Sequence, residues 1–224
     1  MASVVLLLTS SPARADEEIL APVQVTPRET GVLLLPALDA TKDSTNMQAP
    51  RRLVIRHRAE YEFITRQFKM LGEAMAAKAA EAAPGIELGD LSARTAVNLD
   101  LLAKQAGADW VVNIVVEEAK LDTSTGGEFK VRTRVRLQVW DARRHGWLAN
   151  SSYTGQASGE GSPVFVFKNS LDAATKGSLA NLLGVYPQVV AVLREDSLKD
   201  YLAGQTEPFV GDTKTPFSGL KAEQ

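Results

Sequence analysis

Cysteine is absent from this 224-residue chain, and histidine occurs only at His57 and His145. Without cysteine the chain has no disulfide, no thiol catalysis, no cysteine-based zinc site and no lipid-modified cysteine. The two histidines stand alone in the sequence, whereas a metal site needs a cluster of ligands, so we expect neither a metal nor a cofactor. The formal net charge of −2 provides no field that would attract nucleic acid.

The motifs of common enzymes are missing as well. No Gly-x-Ser-x-Gly segment is present to expose a serine nucleophile. The segment "GEGS" at residues 159–162 is not a phosphate-binding loop, because no Gly-Lys-Ser/Thr follows it. These absences predict a protein that is not an enzyme. An enzyme whose perturbed carboxylates meet only in the folded chain is the third-ranked alternative.

Long apolar runs are missing too, apart from a short one near the N-terminus. Val4–Leu8 is too short to span a bilayer, and Ala-Arg-Ala at residues 13–15 fits the small-x-small rule of signal peptidase. The basic n-region of such signals is missing. We nevertheless expect a signal peptide at residues 1–15, cleaved before Asp16, and no membrane-spanning segment in the mature chain.

Composition divides the remaining chain into three parts. Residues 16–30 are largely polar and contain proline, which is typical of a leader. Residues 31–203 contain periodic apolar patterns and predict a single α/β domain. Residues 204–224 consist largely of threonine, proline, glycine and charged residues and predict a disordered tail.

Hydrophobic periodicity within the domain predicts the order β–α–β–α–β–β–β–α–α. The longest predicted helix, Val54–Ala83, follows an apolar stripe, and we prefer it to a strand over Leu53–Phe63 because the stripe continues beyond Phe63. The other predicted elements are strands at Val32–Leu35, Gly85–Leu88, Asp109–Leu121, Phe129–Asp141 and Trp147–Ala157, and helices at Ser92–Gln105, Ser170–Leu183 and Pro187–Ala203, with Ser92 as an N-cap and Gly107 at a helix end. The predicted fold class is α/β (α+β), a mixed five-stranded sheet with an antiparallel meander, flanked by three to four helices.

The meander contains the clearest alternation of apolar and polar residues in the chain, "FKVRTRVRLQVWD" at residues 129–141. If the preceding turn is centred between residues 124 and 125, apolar residues of the two strands face each other. The predicted pairs are Trp110–Val139, Val112–Leu137, Ile114–Val135, Val116–Thr133, Asn113–Arg136 and Glu117–Arg132. One register thus matches apolar with apolar residues and an acid with a base.

Several segments together resemble a bacterial envelope family. They are the strand "GVLLLPALDAT" at residues 31–41, "AKQAGADWVVNIVV" at residues 103–116, the meander "VRTRVRLQVWDARRHGWLANSSYTG" at residues 131–155 and the helix predicted after it. The pattern is similar to that of the curli-secretion channel lipoprotein, the activator lipoprotein of penicillin-binding protein 1B and the N-terminal domain of the Tol–Pal translocation protein, over roughly residues 31–185. The resemblance implies a periplasmic α/β domain that binds other envelope proteins. The chain departs from the lipoproteins in having no lipobox cysteine, and it has no long membrane-spanning hairpin.

Basic residues on one face of the meander are the first candidate site. They form a basic row of Lys130, Arg132, Arg134 and Arg136. One interpretation is a binding surface for an anionic ligand or a cell-wall glycan. The other, which we prefer, is a solvated sheet face neutralised by Glu117 and Glu118. Arg143, Arg144 and His145 at the next hairpin are predicted to be turn residues.

A repeated motif in the tail is the second candidate site. "PFVG" at residues 208–211 recurs as "PFSG" at residues 216–219. Phe209 and Phe217 could each anchor the tail in a pocket of an envelope protein, because proline lowers the cost of ordering the segment. The alternatives are that the tail packs on its own domain or that the repeat is chance.

Overall fold

A mixed sheet forms the centre of the fold in the computed structural model, which describes residues 19–21, 24–42, 47–123, 128–160 and 162–189. Its strands are β1 Gly31–Leu34, β2 Leu38–Asp39, β3 Lys69–Leu71, β4 Trp110–Thr123, β5 Glu128–Asp141 and β6 Gly146–Glu160. The helices are α1 Gln48–Ile64, α2 Glu73–Glu81, α3 Ala96–Ala106 and α4 Pro163–Leu183, with short 3-10 turns at Pro27–Glu29 and Leu91–Ala93.

The sheet combines a parallel and an antiparallel half. Its order is β3–β1–β4–β5–β6, and β2 also pairs with β4. Strand β1 runs parallel to β3 and β4, whereas β4, β5 and β6 form an antiparallel meander. The predicted fold class, a mixed α/β sheet with a meander and flanking helices, is confirmed. The sheet has six strands rather than five.

The single helix predicted over Val54–Ala83 is wrong. The structure divides this segment into α1, the edge strand β3 and α2. The break follows a turn in which Gln67 has a positive φ of 67°. Phe68 then enters the core, where its ring lies 5.4 Å from that of Phe63 and 5.2 Å from that of Trp110. The contact with Trp110, which is distant in the sequence, outweighs the local helical pattern.

Three smaller predictions also need correction. Residues 85–88 form no strand, because β3 supplies the second parallel strand instead. Ser92 lies in a 3-10 turn, and the N-cap of α3 is Thr95, whose side chain accepts a hydrogen bond from the Asn98 amide. Helix α4 begins at Pro163 rather than Ser170. Residues 187–189 are not helical, and the rest of the helix predicted from Pro187 lies outside the described residues.

Helices cover the two faces of the sheet unequally. The inner face packs against α1 and α4 through a core that includes Val112, Ile114, Leu137, Phe63 and Leu171. The outer face packs against α2 and α3 through a second core that includes Leu33, Val111, Leu99, Trp140 and Trp147. This second core ends at the two tryptophans, so most of the outer face of β4, β5 and β6 lies beyond it.

Gly107 ends α3 in the left-handed conformation, with φ of 64°, as the sequence predicted. A Cβ at this position would meet no atom within 4 Å. Gly107→Ala should therefore lower the free energy of unfolding by about 1–2 kcal/mol, through backbone conformation alone. Gly89→Ala is the matched control, because Gly89 also has open space but no positive φ. Equal effects of the two variants in urea unfolding would contradict this explanation.

Candidate functional site

The register of the meander differs from the predicted one by two residues. Val112 pairs with Val139 and Ile114 with Leu137, so the pairs predicted for β4 and β5 are wrong. Each side chain nevertheless lies on the predicted face of the sheet, because a shift of two residues does not change the face. The register then shifts by one residue between Val116 and Glu118, because a β-bulge inserts one residue into β4.

The bulge places two consecutive glutamates against the basic row. Arg134 Nε lies 3.1 Å from Glu117 Oε2, and Arg132 Nη2 lies 3.0 Å from Glu118 Oε1. The predicted pair between Glu117 and Arg132 is therefore corrected, since each glutamate takes its own arginine. Regular alternation would have sent one of the two glutamates toward the inner face.

Neutral polar side chains continue this surface across the sheet. Asn113 Nδ2 donates to Gln138 Oε1 at 2.8 Å, instead of facing Arg136 as predicted. Arg136 donates from Nε and Nη2 to Asn150 Oδ1, at 3.1 and 2.9 Å. Ser152 Oγ donates to Glu117 Oε2 at 2.7 Å. We call the polar outer face of β4, β5 and β6 the open sheet face. Its members are Asn113, Glu117, Glu118 and Lys120 on β4, Lys130, Arg132, Arg134, Arg136 and Gln138 on β5, and Asn150, Ser152, Thr154, Gln156 and Ser158 on β6.

Arg94 supports one end of the open sheet face, a role that the sequence did not reveal. Its side chain is buried, with 4% of the residue surface exposed, and Nη1 donates to Asn113 Oδ1 at 3.2 Å. The other terminal nitrogen donates to the carbonyl oxygens of Pro36 and Leu88. Burial lowers the pKa of Arg94 to about 10, which still leaves the guanidinium charged at neutral pH. The fixed cation holds the loop before α3 against the sheet.

The basic row lies on the open sheet face, and two of its four cations are paired with acids. Arg132 and Arg134 bind glutamates, and Arg136 binds an asparagine. Lys130 is exposed at the far end of the row. Acidic side chains therefore pair with the two central arginines of the row. Whether the row binds a ligand stays a prediction.

Glu118 is the carboxylate most influenced by this arrangement. Its pKa is lowered, chiefly by the hydrogen bond from Lys120. Burial opposes this shift, and the hydrogen bond from Arg132 lowers the pKa further. Because the charged form is favoured in the fold, the stabilisation is present above the ordinary pKa and is lost as the pH falls through the lowered pKa. We expect Lys120→Gln to raise the pKa of Glu118, measured by NMR titration. Lys130→Gln should leave it in place, and an equal rise in both variants would contradict the specific contact.

A shallow pocket lies at the opposite end of the meander, beside the β5–β6 turn. It has a volume of about 380 Å³ and is lined by Asp100, Ala103, Lys104, Gly107, Ala108, Asp109, Ala142, Arg143 and His145. His145 Nδ1 lies 2.9 Å from Asp100 Oδ1, and Arg143 Nε donates to Asp109 Oδ1 at 2.6 Å. Asp109 Oδ2 also accepts the Gly31 amide at 2.7 Å, so this carboxylate fixes β1 to the turn. These contacts join α3, β1 and the β5–β6 turn.

Several predicted features cannot be placed. Phe209 and Phe217, and the predicted signal at residues 1–15, lie outside the described residues. Within the part of the chain that the structure describes, no group of three histidine or carboxylate side chains could hold a metal ion. No helix in that part is long and apolar enough to cross a membrane.

Comparison with known proteins gives similarities of structure only. No family model matches the chain, and the search of curated proteins found no match. The lipoprotein GNA1162 from Neisseria meningitidis is 16% identical with a TM-score of 0.45, over 68% of this chain and 99% of that one. The PelC dodecamer from Paraburkholderia phytofirmans is 16% identical with a TM-score of 0.39, over 82% of this chain and 98% of that one.

The C-terminal domain of LpoB from Escherichia coli is 15% identical with a TM-score of 0.37, over 60% of this chain and 86% of that one. Structures similar to the chain thus include a bacterial lipoprotein. Likeness at this level assigns neither a family nor a function to the chain. The resemblance to the envelope family therefore stays a prediction from the sequence.

Proposed function

We propose that this chain is a non-catalytic periplasmic domain that binds other envelope proteins and acts as an assembly or regulatory factor. The observation that carries the proposal is the open sheet face. Four of its members toward the β5–β6 turn, Asn113, Gln138, Asn150 and Ser152, are buried. The rest of the face is accessible: Lys120, Lys130 and Arg132 are exposed, and Glu117, Glu118, Arg134, Arg136, Thr154, Gln156 and Ser158 are partly exposed. This accessible part extends over three adjacent strands and offers a protein partner a polar surface.

The side chains of the open sheet face are held in place before any partner arrives. Glu117 is fixed by Arg134 and Ser152, and Asn150 is fixed by Arg136. Side chains that are already ordered lose little conformational entropy on binding, which favours recognition of a protein surface. Because the arginines already hold internal partners, an anionic ligand or a cell-wall glycan on the basic row is the weaker candidate.

Two carboxylates with a shifted pKa, Asp90 and Glu118, support the non-catalytic part of the proposal. Asp90 and Glu118 each have a lowered pKa, which favours the charged form. A general acid at neutral pH needs the opposite shift. The hydrogen bonds of Ser92 lower the pKa of Asp90, and those of Lys120 and Arg132 lower that of Glu118, so both shifts come from contacts that stabilise structure.

Site-specific photo-crosslinking in the native cells tests the proposed surface. A photoreactive side chain at Lys120 or Lys130, both exposed on the open sheet face, should give a discrete adduct with an envelope protein. The same group at Lys78, exposed on α2, is the control and should give none. Equal adducts from both surfaces, or no adduct from the sheet face, would contradict the proposal.

The proposed compartment has a separate test. Mass spectrometry of the chain recovered from the periplasmic fraction should show an N-terminus at Asp16. A chain that keeps Met1 and stays in the cytoplasmic fraction would contradict export through residues 1–15.

A further inference from the structure

The outer edge of β6 is long and largely unpaired. Strand β6 pairs with β5 along its whole length, whereas its other edge carries one isolated bridge, between Ile19 and Trp147. There the Leu20 amide donates to the Trp147 carbonyl at 2.7 Å. Among the residues that the structure describes, no strand pairs with this edge over residues 149–160. Alternate residues of an edge strand direct their amide and carbonyl groups outward, where another strand can bind them.

This edge lacks the features that usually prevent strand pairing. Residues 148–159 contain no charged residue and no proline. The register shift of the β5–β6 pair lies at Trp140, close to the turn and away from the free edge. The inner face of β6 is also held firmly, because Ser170 Oγ donates to the Gly155 carbonyl at 2.8 Å and Asn181 Nδ2 to the Tyr153 hydroxyl at 3.1 Å. The edge is therefore ordered before pairing.

We propose that this edge pairs with the same edge of a second copy of the chain, antiparallel and about a two-fold axis at Gly155. Residues 150–160 of each copy then form the interface. On the outer face, Thr154 lies opposite Gln156 of the second copy and Ser152 lies opposite Ser158. These neutral side chains can exchange hydrogen bonds, and no like charges face each other across the axis. The two sheets join into one, and the inference does not rest on the proposed function.

Charge at the ends of the interface supports the second copy as the occupant. Glu160 is exposed and lies opposite Glu128 on β5, which places two acids at the end of the strand pair. In the two-fold arrangement Glu160 lies opposite Asn150 of the second copy. That asparagine already holds the Arg136 guanidinium, through Nε at 3.1 Å and Nη2 at 2.9 Å. The second copy thus brings a cation to a carboxylate that faces another acid within its own chain.

The N-terminal segment sets the register. Ile19 and Leu20 occupy the β6 edge at Trp147, and Leu20 also covers Gly146, where an added Cβ would lie 2.6 Å from its Cδ1. An arrangement shifted two residues further would bring Glu160 opposite Leu148, against this segment. An axis at Gly155 therefore gives the longest overlap of the two strands that leaves Ile19 beside Trp147. In this arrangement the outer faces of both copies lie on the same side of the joined sheet.

A variant that adds charge at the interface tests the dimer without unfolding the chain. Thr154 pairs with Arg134 and Gln156 with Arg132 across the β5–β6 pair, so Thr154→Glu/Gln156→Glu places each new acid beside a base in the monomer. In the dimer each new acid also faces an acid of the second copy. We expect the wild-type chain to sediment as a dimer, and the variant to raise the dimer dissociation constant at least ~10-fold with an unchanged circular dichroism spectrum.

Gln48→Glu/Gln105→Glu is the matched control, because it adds the same charge at exposed positions on α1 and α3. It should leave the dimer dissociation constant unchanged. A wild-type chain that stays monomeric at all concentrations would overturn the inference. So would a dimer that survives the Thr154→Glu/Gln156→Glu variant, or an assembly larger than a dimer, since an isologous contact closes at two copies.

The absence of cysteine allows a direct measurement of the register. A spin label on Ser158→Cys would be the only labelled site, because the chain has no other thiol. Ser158 lies opposite Ser152 of the second copy, so the two labelled backbone positions should be ~20 Å apart along the paired strands. Double electron–electron resonance should report a distance near this value. A monomeric signal, or a distance that places the axis elsewhere on β6, would overturn the proposed pairing.

Discussion

Asp39→Ala is expected to lower the free energy of unfolding by about 3–5 kcal/mol. Asp39 Oδ2 lies 2.6 Å from Arg51 Nε, and each of the two side chains is only 1% exposed. Thr41 Oγ1 donates to Asp39 and accepts a hydrogen bond from Arg51 Nη2 at 2.8 Å. The variant leaves the Arg51 guanidinium buried between α1 and β2 without its carboxylate. Removing one partner of a buried ion pair costs far more than the loss of one exposed contact.

Two further variants test whether burial of the Asp39–Arg51 ion pair causes the large loss of stability expected for Asp39→Ala. Lys120→Ala removes an ion pair to Glu118 in which the lysine is 58% exposed, and it should cost less than about 1 kcal/mol in urea unfolding at neutral pH. Asp39→Leu/Arg51→Met removes both charges together and should recover much of the lost stability. If Asp39→Ala costs no more than Lys120→Ala, the buried ion pair does not stabilise the fold as described.

The strands of the meander could be predicted because their signal is local. Val135, Leu137 and Val139 alternate with polar residues, and this period of two fixes both the strand and the face that each side chain occupies. The end of α3 was equally local, since Gly107 adopts the left-handed conformation that most residues avoid. Such features depend on neighbours in the sequence and not on the rest of the fold.

The register of the meander could not be predicted from the same alternation. Moving β5 by two residues keeps every apolar residue on its face, so the hydrophobic pattern cannot distinguish the two registers. The bulge beside Glu117 then changes the pairing again. The predicted pairs Trp110–Val139 and Glu117–Arg132 failed for this reason, although the basic row lies on the face opposite the apolar residues.

Long-range contacts explain the remaining failures. Phe68 interrupts the predicted helix because its ring packs 5.1 Å from Tyr186 and 5.2 Å from Trp110, both far away in the sequence. Arg94 supports the open sheet face through contacts with Asn113 and Pro36, which lie 19 and 58 residues away. No property of these residues taken alone predicts such contacts, because tertiary packing decides them.

Gly155→Ala is expected to lower the free energy of unfolding by about 3 kcal/mol or more. An ideal Cβ at Gly155 would lie 2.0 Å from the Ser170 carbonyl oxygen and 2.8 Å from the Ala174 amide nitrogen. Both atoms belong to the backbone of α4, so no side-chain rotation can make room. The helix would have to move off the sheet and break the contact of 2.8 Å between the Thr133 and Ser170 hydroxyls. Leu171, fully buried between α4 and the sheet, would lose its packing as well.

Gly159→Ala is the matched control because it changes the same residue type on the same strand and face. Its Cβ would lie 3.5 Å from Val166 Cγ2, an ordinary van der Waals contact. We expect this variant to change the free energy of unfolding by less than about 0.5 kcal/mol in the same urea titration. Adding Ala174→Gly to Gly155→Ala should rescue little stability, because the Ser170 carbonyl still blocks the methyl group. Equal losses in Gly155→Ala and Gly159→Ala would instead indicate a general cost of replacing glycine in β6 and would refute the close approach of α4 as the cause.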